Sequence, residues 1–182
     1  MQVMSAGSSW QKIVLVLFAG LMLAACQTSG LKSGALKTDF PPAGWKTQRS
    51  GNDTAYFCTR PTCSTPQLVV ISPTRQRGNV EEAIKRNIIS TALVDELFNV
   101  LKVASRKQVN ASSTRKITTP TYSGFENLVT LRDRNGKKLY LAVRNVIQRD
   151  RGIVVTSAAA SPGIAKRNLA RFFAQTTIQR VQ

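Results

Sequence analysis

The dipeptide Asn135-Gly136 stands between two runs of strand-forming residues, and it restricts the fold of this chain more than any other feature. YSGFENLVTL at 122–131 precedes it and KLYLAVRNVI at 138–147 follows it. Asn-Gly adopts the positive φ angles of the tight turns that join antiparallel strands. A third run, GIVVTSAAA at 152–160, comes after a second short turn. The sequence therefore predicts a three-stranded antiparallel meander.

The strand at 139–147 carries apolar residues on both of its faces. Successive side chains of a strand point to opposite faces of the sheet. The apolar residues of the two faces are Leu139, Leu141 and Val143 on one and Tyr140, Ala142 and Val146 on the other. We therefore expect the sheet to be covered, at least in part, on each side.

Two further strand-forming runs precede the meander. TAYFC at 54–58 and QLVVIS at 67–72 flank a turn, and they predict an N-terminal hairpin. Pro73 is expected to end the second strand, because proline lacks the N–H group that a sheet ladder uses.

A long helix is predicted at 79–104, between the hairpin and the meander. Asn79 is its expected N-cap, and Glu82 occupies the position of the reciprocal partner in a capping box. Apolar residues then recur at helical spacing. Ser90 and Thr91 mark the point where this helix could bend or split.

A last helix is predicted to begin at Ser161-Pro162, with serine as the N-cap and proline in the first turn. Its apolar residues recur at helical spacing and would pack on the sheet; they are Ile164, Leu169, Phe172 and Phe173.

The predicted order is hairpin, helix, three-stranded meander, helix, which indicates an α+β fold with an antiparallel sheet. Over residues 45–180 this order resembles the Mog1/PsbP-like fold, in which an N-terminal hairpin, a long helix, a meander and a closing helix follow one another. The resemblance rests on element order and carries no motif residue, so it implies a fold and no function. Other α+β folds fit the same order.

An apolar run at 13–25 ends on the tetrapeptide Leu23-Ala24-Ala25-Cys26. The run is shorter than the roughly 20 apolar residues of a membrane-spanning helix and is typical of a secretory signal. The tetrapeptide resembles the lipobox of bacterial lipoproteins. This resemblance implies that residues 1–25 are a signal peptide and that cleavage leaves Cys26 carrying the lipid, palmitate included. An ordinary secretory signal with a chance cysteine is the alternative.

Gln27 follows the lipobox cysteine. In the lipoprotein family an Asp at this position often retains the protein at the inner membrane, so glutamine favours the outer membrane, facing the periplasm. Residues 26–44 are small, polar and rich in Gly and Pro, and they are predicted to be the lipidated N-terminus and a flexible tether. Residues 45–182 are predicted to form a single α+β domain.

Cys58 and Cys63 are the two cysteines besides Cys26. In an exported chain the default for such a pair is a disulfide. A redox pair usually has a closer spacing, and a metal site needs ligands that this histidine-free chain does not offer. We therefore predict a structural disulfide and no metal or other cofactor, with the redox and metal interpretations as the rivals.

Catalytic motifs are weak in this sequence. Nucleophilic catalysis usually relies on a neighbouring base, most often histidine, and the chain has none. The adjacent acids Glu81-Glu82 stand in the first turn of a predicted helix, where the helix dipole favours them. The spacing of a Ser-Lys catalyst occurs at Ser29 to Lys32, inside the predicted tether. We therefore predict a non-enzyme.

Positive charge is the remaining functional signal. Beyond residue 25 the chain has 25 Lys and Arg against nine Asp and Glu, a net charge of +16. Three stretches are densest in cations, and their members are predicted to bind anions: Arg106, Lys107, Arg115 and Lys116; Arg132, Arg134, Lys137 and Lys138; and Lys166, Arg167 and Arg171. A solvated surface that only keeps the protein soluble is the alternative.

The predicted function combines the predicted lipoprotein signal with the positive net charge. We expect a lipid-anchored protein of the bacterial envelope that binds anionic envelope components or a protein partner without catalysis. The expected partners are the membrane, through the N-terminal lipid, and lipopolysaccharide, peptidoglycan or an acidic envelope protein. Nucleic acid is disfavoured because few aromatic residues accompany the cations. An accessory subunit of a secretion or DNA-transfer apparatus is the second hypothesis, and a hydrolase using Ser-Lys or carboxylate chemistry is the third.

Overall fold

A computed structural model describes residues 30–112 and 114–181. The predicted signal peptide and Cys26 lie outside these residues. The strands of the described part are β1 Leu36–Thr38, β2 Lys46–Ser50, β3 Asp53–Cys58, β4 Gln67–Arg75, β5 Val109–Ala111, β6 Arg115–Thr118, β7 Ser123–Arg132, β8 Lys138–Gln148, β9 Arg151–Ala159 and β10 Thr176–Ile178. Its helices are α1 Val80–Lys85, α2 Thr91–Ala104 and α3 Pro162–Ala174.

The main sheet is antiparallel and has the strand order β2-β3-β4-β9-β8-β7, with β5 and β6 both pairing along the outer edge of β7. The predicted hairpin (β3 and β4) and the predicted meander (β7, β8 and β9) are confirmed. They join through β4 and β9, which pair over nine residues from Gln67↔Ala159 to Arg75↔Arg151. A second, two-stranded sheet pairs β1 with β10. The α+β class and the order of the Mog1/PsbP-like elements are those predicted.

Strand β4 does not end at Pro73 but continues to Arg75. Its pairing with β3 stops at Thr54↔Ile71, whereas its pairing with β9 goes on. Beyond Ile71 one side of β4 is therefore free of a neighbouring main-sheet strand, and such positions tolerate proline.

The predicted long helix is split at the Ser90-Thr91 pair. Asn79 caps α1 by accepting a hydrogen bond from the Glu82 amide at 3.2 Å, and Ser90 caps α2 by accepting one from the Leu93 amide at 3.2 Å. The Glu82 carboxylate pairs with Arg86 instead of completing a capping box. Each capped segment therefore begins its own helix.

The sheet is covered by helices on both faces, as the apolar alternation predicted. Helix α3 contacts β4, β8 and β9 on one face. Its N-cap is Ser161 and Pro162 stands in its first turn, as predicted. Leu169 and Phe172 are buried there, with Ile164 and Phe173 packed beside them. On the opposite face Ile84 of α1 packs with Phe125 and Ile147.

Residues 36–44 are not a tether. Strand β1 pairs with β10, and Phe40 is only 4 % exposed. The ring of Phe40 lies edge-on to those of Trp45, Tyr56 and Phe172, with centroids 5.2 to 5.5 Å apart. An apolar ring can leave water here because the α3 side of the sheet supplies aromatic partners. The folded body therefore begins well before residue 45.

Both core clusters and all the strand pairings described lie within residues 30–181. The first cluster joins both sheets to α3, and the second joins α1 to β7 and β8. The described segment therefore has a hydrophobic core that joins both sheets to the helices, and the chain from Gln27 to Gln182 includes all of it.

Candidate anion-binding surfaces

The end of the main sheet that carries the β7–β8 turn gathers two of the predicted basic stretches. Arg132 pairs across this turn with Lys138, and its amide donates to the Gln108 carbonyl at 2.8 Å. The preceding loop folds back on α2, since the Lys107 amide donates to the Lys102 carbonyl at 2.7 Å. These contacts define the sheet-end cluster: Lys102, Arg106, Lys107, Arg132, Arg134, Lys137 and Lys138.

The sheet-end cluster has one nearby carboxylate in the turn itself, that of Asp133. This carboxylate accepts hydrogen bonds from the amides of Asn135 at 2.9 Å and Lys137 at 2.8 Å, and so shapes the turn. Within the described part of the chain, none of the seven cations takes part in an ion pair. Seven like charges held together with one carboxylate among them favour the approach of an anion.

The predicted basic stretch at 106–116 does not form one cluster. Strands β5 and β6 lie one after the other along β7, with Val109 opposite Leu131 and Arg115 opposite Glu126. Five residues of β7 separate these two positions, a distance of about 17 Å. Arg106 and Lys107 therefore join the sheet-end cluster, whereas Arg115 and Lys116 lie further along the edge.

Arg115 belongs to a second basic site, built around Glu126. The Glu126 carboxylate accepts from Arg115 at 2.7 Å and from Arg144 at 2.5 Å, and the Arg144 guanidinium lies 3.9 Å above the centre of the Phe173 ring. Burial opposes ionisation, but the hydrogen bonds from both arginines outweigh it and hold the pKa of Glu126 below its ordinary value. Glu126 is therefore anionic at neutral pH.

A depression of about 360 Å³ opens beside Glu126, and Lys166 and Asn127 help to line it. Its three cations outnumber the Glu126 carboxylate, so it could admit a small anion. Arg144 was not singled out from the sequence. It stands on a mainly apolar strand face, and only the register Glu126↔Arg144 brings it to its partner.

The remaining predicted cations lie apart from these two sites. Lys116 donates to the Lys85 carbonyl and to the Asn87 side chain, both at 3.4 Å. Arg167 and Arg171 are exposed on α3. The structure therefore separates the eleven predicted anion-binding residues into one large cluster, the Glu126 site and isolated cations.

Another depression, of about 640 Å³, is lined by the buried Glu81 together with Lys85, Arg149 and Arg180. Glu81 is 3 % exposed and accepts hydrogen bonds from the Lys85 ammonium and the Arg149 amide, each at 3.0 Å, and from Arg180. Burial opposes ionisation of Glu81, but these hydrogen bonds outweigh it and hold its pKa below the ordinary value. The negative charge of Glu81 is thus already compensated by Lys85 and Arg180, and the carboxylate joins α1 to the β8–β9 turn and the C-terminal segment.

The cysteines behave as the spacing predicted. Cys58 and Cys63 form a disulfide with Cα atoms 5.8 Å apart, and Cys58 lies in the core. In the described residues no three His, Cys, Asp or Glu side chains lie close enough together to hold a metal ion. Nor does any described helix have the length and apolarity to cross a membrane.

No protein-family model and no curated protein matches this chain. Solved structures do match. LpqN of Mycobacterium tuberculosis, described as involved in cell envelope biogenesis, is 15 % identical with a TM-score of 0.51, and the match covers 84 % of this chain and 90 % of LpqN. Cyanobacterial PsbP from Synechocystis sp. PCC 6803 is 11 % identical with a TM-score of 0.48, and the match covers 82 % of this chain and 89 % of that one.

A protein from Bacteroides thetaiotaomicron VPI-5482 also matches, at 7 % identity and a TM-score of 0.46 over 80 % of this chain. The chain spans about half the length of that protein, since the match covers 46 % of it. At such identities likeness concerns the fold alone, and the similarity to LpqN agrees with the α+β architecture described above.

Proposed function

We propose that this chain is a lipid-anchored protein of the bacterial envelope that binds anionic envelope components without catalysis. Cys26 carries the anchor, and the protein sits at the outer membrane facing the periplasm. The sheet-end cluster is the binding surface, and anions such as lipopolysaccharide phosphates or peptidoglycan carboxylates are its ligands.

The observation that carries this proposal is the convergence of seven cations on one end of the sheet. They come from α2, the loop after it and the β7–β8 hairpin. An exposed ion pair contributes at most about 1 kcal/mol, so a single surface cation explains little. Seven cations fixed on one rigid end act together on a polyanion, which offers many charges at once.

Two further observations support the envelope setting. Residues 13–26 resemble a lipoprotein signal, which would address the protein to the envelope. The structurally similar LpqN is described as involved in cell envelope biogenesis. The likeness extends to the fold, and the envelope role is carried to this chain as part of the proposal.

The test is retention of the chain from Gln27 to Gln182 on immobilised lipopolysaccharide and on peptidoglycan at low and high salt. Arg134, Lys137 and Lys138 are changed together to Gln. We expect weaker retention of this variant, and retention of the parent that falls steeply with salt, because exposed charges are screened over about 8 Å at physiological ionic strength.

The matched control changes Lys37, Lys46 and Arg49 to Gln. These three cations are exposed on β1 and on β2, the strand at the opposite edge of the main sheet. The control alters net charge by the same amount and should bind like the parent. Equal losses in both variants would mean that total charge, not the sheet-end cluster, governs binding. No retention of the parent at low salt would contradict the proposed function.

A further inference from the structure

Helix α2 presents an apolar stripe to solvent. Val94 and Phe98 turn towards the sheet side, and the Asp95 carboxylate accepts a hydrogen bond from the Thr114 amide at 2.9 Å. The adjoining, water-facing side carries four large apolar residues that are about half exposed: Leu93 at 47 %, Leu97 at 57 %, Val100 at 58 % and Leu101 at 51 %.

These four residues form one surface, because positions i, i+4, i+7 and i+8 lie on the same face of a helix. From Leu93 to Leu101 the stripe is about 12 Å long. Glu96 and Asn99 flank it and are hydrogen-bonded to each other. Single exposed apolar side chains are ordinary, but a contiguous patch marks an interaction surface.

Positive charge stands at both ends of the stripe. The C-terminal end of α2 runs into the sheet-end cluster through Lys102, and the Arg106 amide donates to the Val103 carbonyl at 3.0 Å. Near the N-terminal end the Lys116 ammonium reaches the Asn87 side chain, three residues before the Ser90 cap. An apolar helical face bordered by cations has the chemistry of a helix that lies in the surface of an anionic membrane.

We propose that α2 docks on an anionic lipid bilayer, with the stripe at the boundary between headgroups and acyl chains and the sheet-end cluster on the lipid phosphates. This inference rests on the proposed function, since it uses the same cations, and it specifies the ligand as a bilayer surface. Burial of the stripe in the bilayer holds α2, and attraction to the lipid phosphates holds the sheet-end cluster.

A second copy of the chain fits the stripe less well than a bilayer does. Two copies paired through α2 around a two-fold axis would bring their cation-bordered faces together. In the described residues the carboxylates of α2 and of the β7–β8 turn are three, Asp95, Glu96 and Asp133, too few to pair with the cations of two copies. An anionic bilayer instead supplies counter-charge to every cation at once.

The direction of α2 agrees with docking beside the predicted anchor. Gly30, four residues after Cys26, donates its amide N–H to the Thr74 carbonyl, at the end of the sheet opposite the sheet-end cluster. The two ends are about 33 Å apart along β8. Helix α2 runs between them, since Val94 packs against the core cluster of α1, β7 and β8, and Lys102 adjoins Lys107. Helix α2 thus follows the sheet lengthwise, from the end near Gly30 towards the sheet-end cluster.

The experiment measures binding of the chain from Gln27 to Gln182 to vesicles by flotation. Vesicles contain phosphatidylcholine alone, or phosphatidylcholine and phosphatidylglycerol in equal parts. We expect binding to the second kind. The change of Arg134, Lys137 and Lys138 to Gln should weaken it on the order of a hundredfold, since each surface cation contributes about 1 kcal/mol on an anionic leaflet.

The stripe is tested with Leu97→Asn. This change should weaken vesicle binding about tenfold, because it removes an apolar side chain that docking would bury in the bilayer. The matched control is Val103→Asn. Val103 is the most exposed apolar residue of α2, at 77 %, and lies outside the stripe, so its change should leave binding within about twofold, as expected of a residue that stays in water. Both positions are exposed, so neither change should unfold the domain, which a thermal melt checks.

Contact of the stripe with lipid has its own optical readout. In Val100→Trp the new indole should shift its emission to the blue when phosphatidylglycerol vesicles are added. In Thr47→Trp, on the far edge strand β2, it should not. Loss of binding with Leu97→Asn together with the shift at residue 100 supports docking.

Three results would overturn the inference. Absence of vesicle binding by the parent is one, and if lipopolysaccharide and peptidoglycan are still retained, the proposed function survives it. Vesicle binding that needs the cations but ignores Leu97→Asn, with no shift at residue 100, means attraction without docking of α2. A parent that is dimeric by light scattering, and that Leu97→Asn makes monomeric, assigns the stripe to a second copy of the chain.

Discussion

The guanidinium of Arg180 binds the buried carboxylate of Glu81, 99 residues earlier in the chain, and so ties the segment after β10 to helix α1. Arg180 also donates to the Pro120 carbonyl at 3.2 Å. Lys85 and the Arg149 amide occupy the rest of the carboxylate. One ionised side chain thus joins α1, the β8–β9 turn and the C-terminal segment.

Stability should therefore fall in acid. The pKa of Glu81, like that of Glu126, is depressed in the folded protein, so between the folded and unfolded values the unfolded state binds more protons. The stabilisation is present above the unfolded value and is lost as pH falls through the folded one. Urea unfolding should show a falling midpoint from about pH 5 downwards.

Glu81→Gln should reduce this pH dependence to the part due to Glu126. It should also cost roughly 1–3 kcal/mol at neutral pH, because it leaves buried hydrogen-bond donors without their anion. Glu82→Gln is the matched control, since Glu82 is more exposed and pairs with Arg86 on the outer side of α1. If both variants kept the acid dependence of the parent, Glu81 would not be a linked group.

Phe40→Ala should destabilise the domain by about 3–5 kcal/mol, the usual cost of removing a buried aromatic ring. The ring is enclosed by Trp45, Tyr56 and Phe172. Lys37→Ala, three residues earlier and exposed, should cost under about 0.5 kcal/mol. Denaturant titration measures both. An unchanged midpoint for Phe40→Ala would restore the tether assigned to this segment from the sequence.

Gly124→Ala should be among the most damaging single-methyl changes. A Cβ atom there would lie 1.9 Å from the backbone oxygen of Asn145, and a backbone atom inside the sheet cannot move aside without breaking the ladder. We expect poor folding or a large drop in melting temperature. Gly163→Ala is the control: its Cβ meets only the end of the Arg167 side chain at 3.4 Å, and alanine favours the helix. Equal melting temperatures for the two variants would contradict the close approach of β7 to β8.

The disulfide should resist alkylation in exported, non-reduced protein. Cys58→Ser together with Cys63→Ser should lower the free energy of unfolding by about 2 kcal/mol, as the chain-entropy model gives for so short a loop. Mass spectrometry after thiol labelling tests the first point and urea unfolding the second. Two freely labelled thiols in the native protein would refute the assignment.

The lipid anchor is tested by metabolic labelling with radioactive palmitate. The wild type should take up label, and Cys26→Ser should not, because serine offers no thiol for acylation. Cys63→Ser serves as the matched control and should be labelled like the wild type. If Cys26→Ser incorporated as much palmitate as the wild type, Cys26 would not be the lipidated residue.

The sequence determined those features whose signals are local. Asn135-Gly136 specified the β7–β8 hairpin because its backbone conformation suits that turn. Asn79 and Ser161 specified helix starts because a side-chain oxygen caps the amides two or three residues on. The close spacing of Cys58 and Cys63 specified their disulfide. Each of these depends on residues only a few positions apart.

Tertiary structure decided which distant segments meet. Residues 36–44 resembled a tether because the segment is short and its residues are mostly small or polar. Its single aromatic residue, Phe40, is buried only because the fold brings Phe172 and other aromatic rings to it. The stretch 106–116 resembled one basic cluster in the sequence. In the structure its two ends are apart, because β5 and β6 pair with successive parts of β7. Charge and composition say how many residues of each kind a segment has, whereas strand register decides where each residue lies in space. The Glu126–Arg144 pair and the exposed stripe of α2 exist only through that placement, because an α-helix pattern predicts an apolar face but not whether the sheet or something outside the chain will cover it.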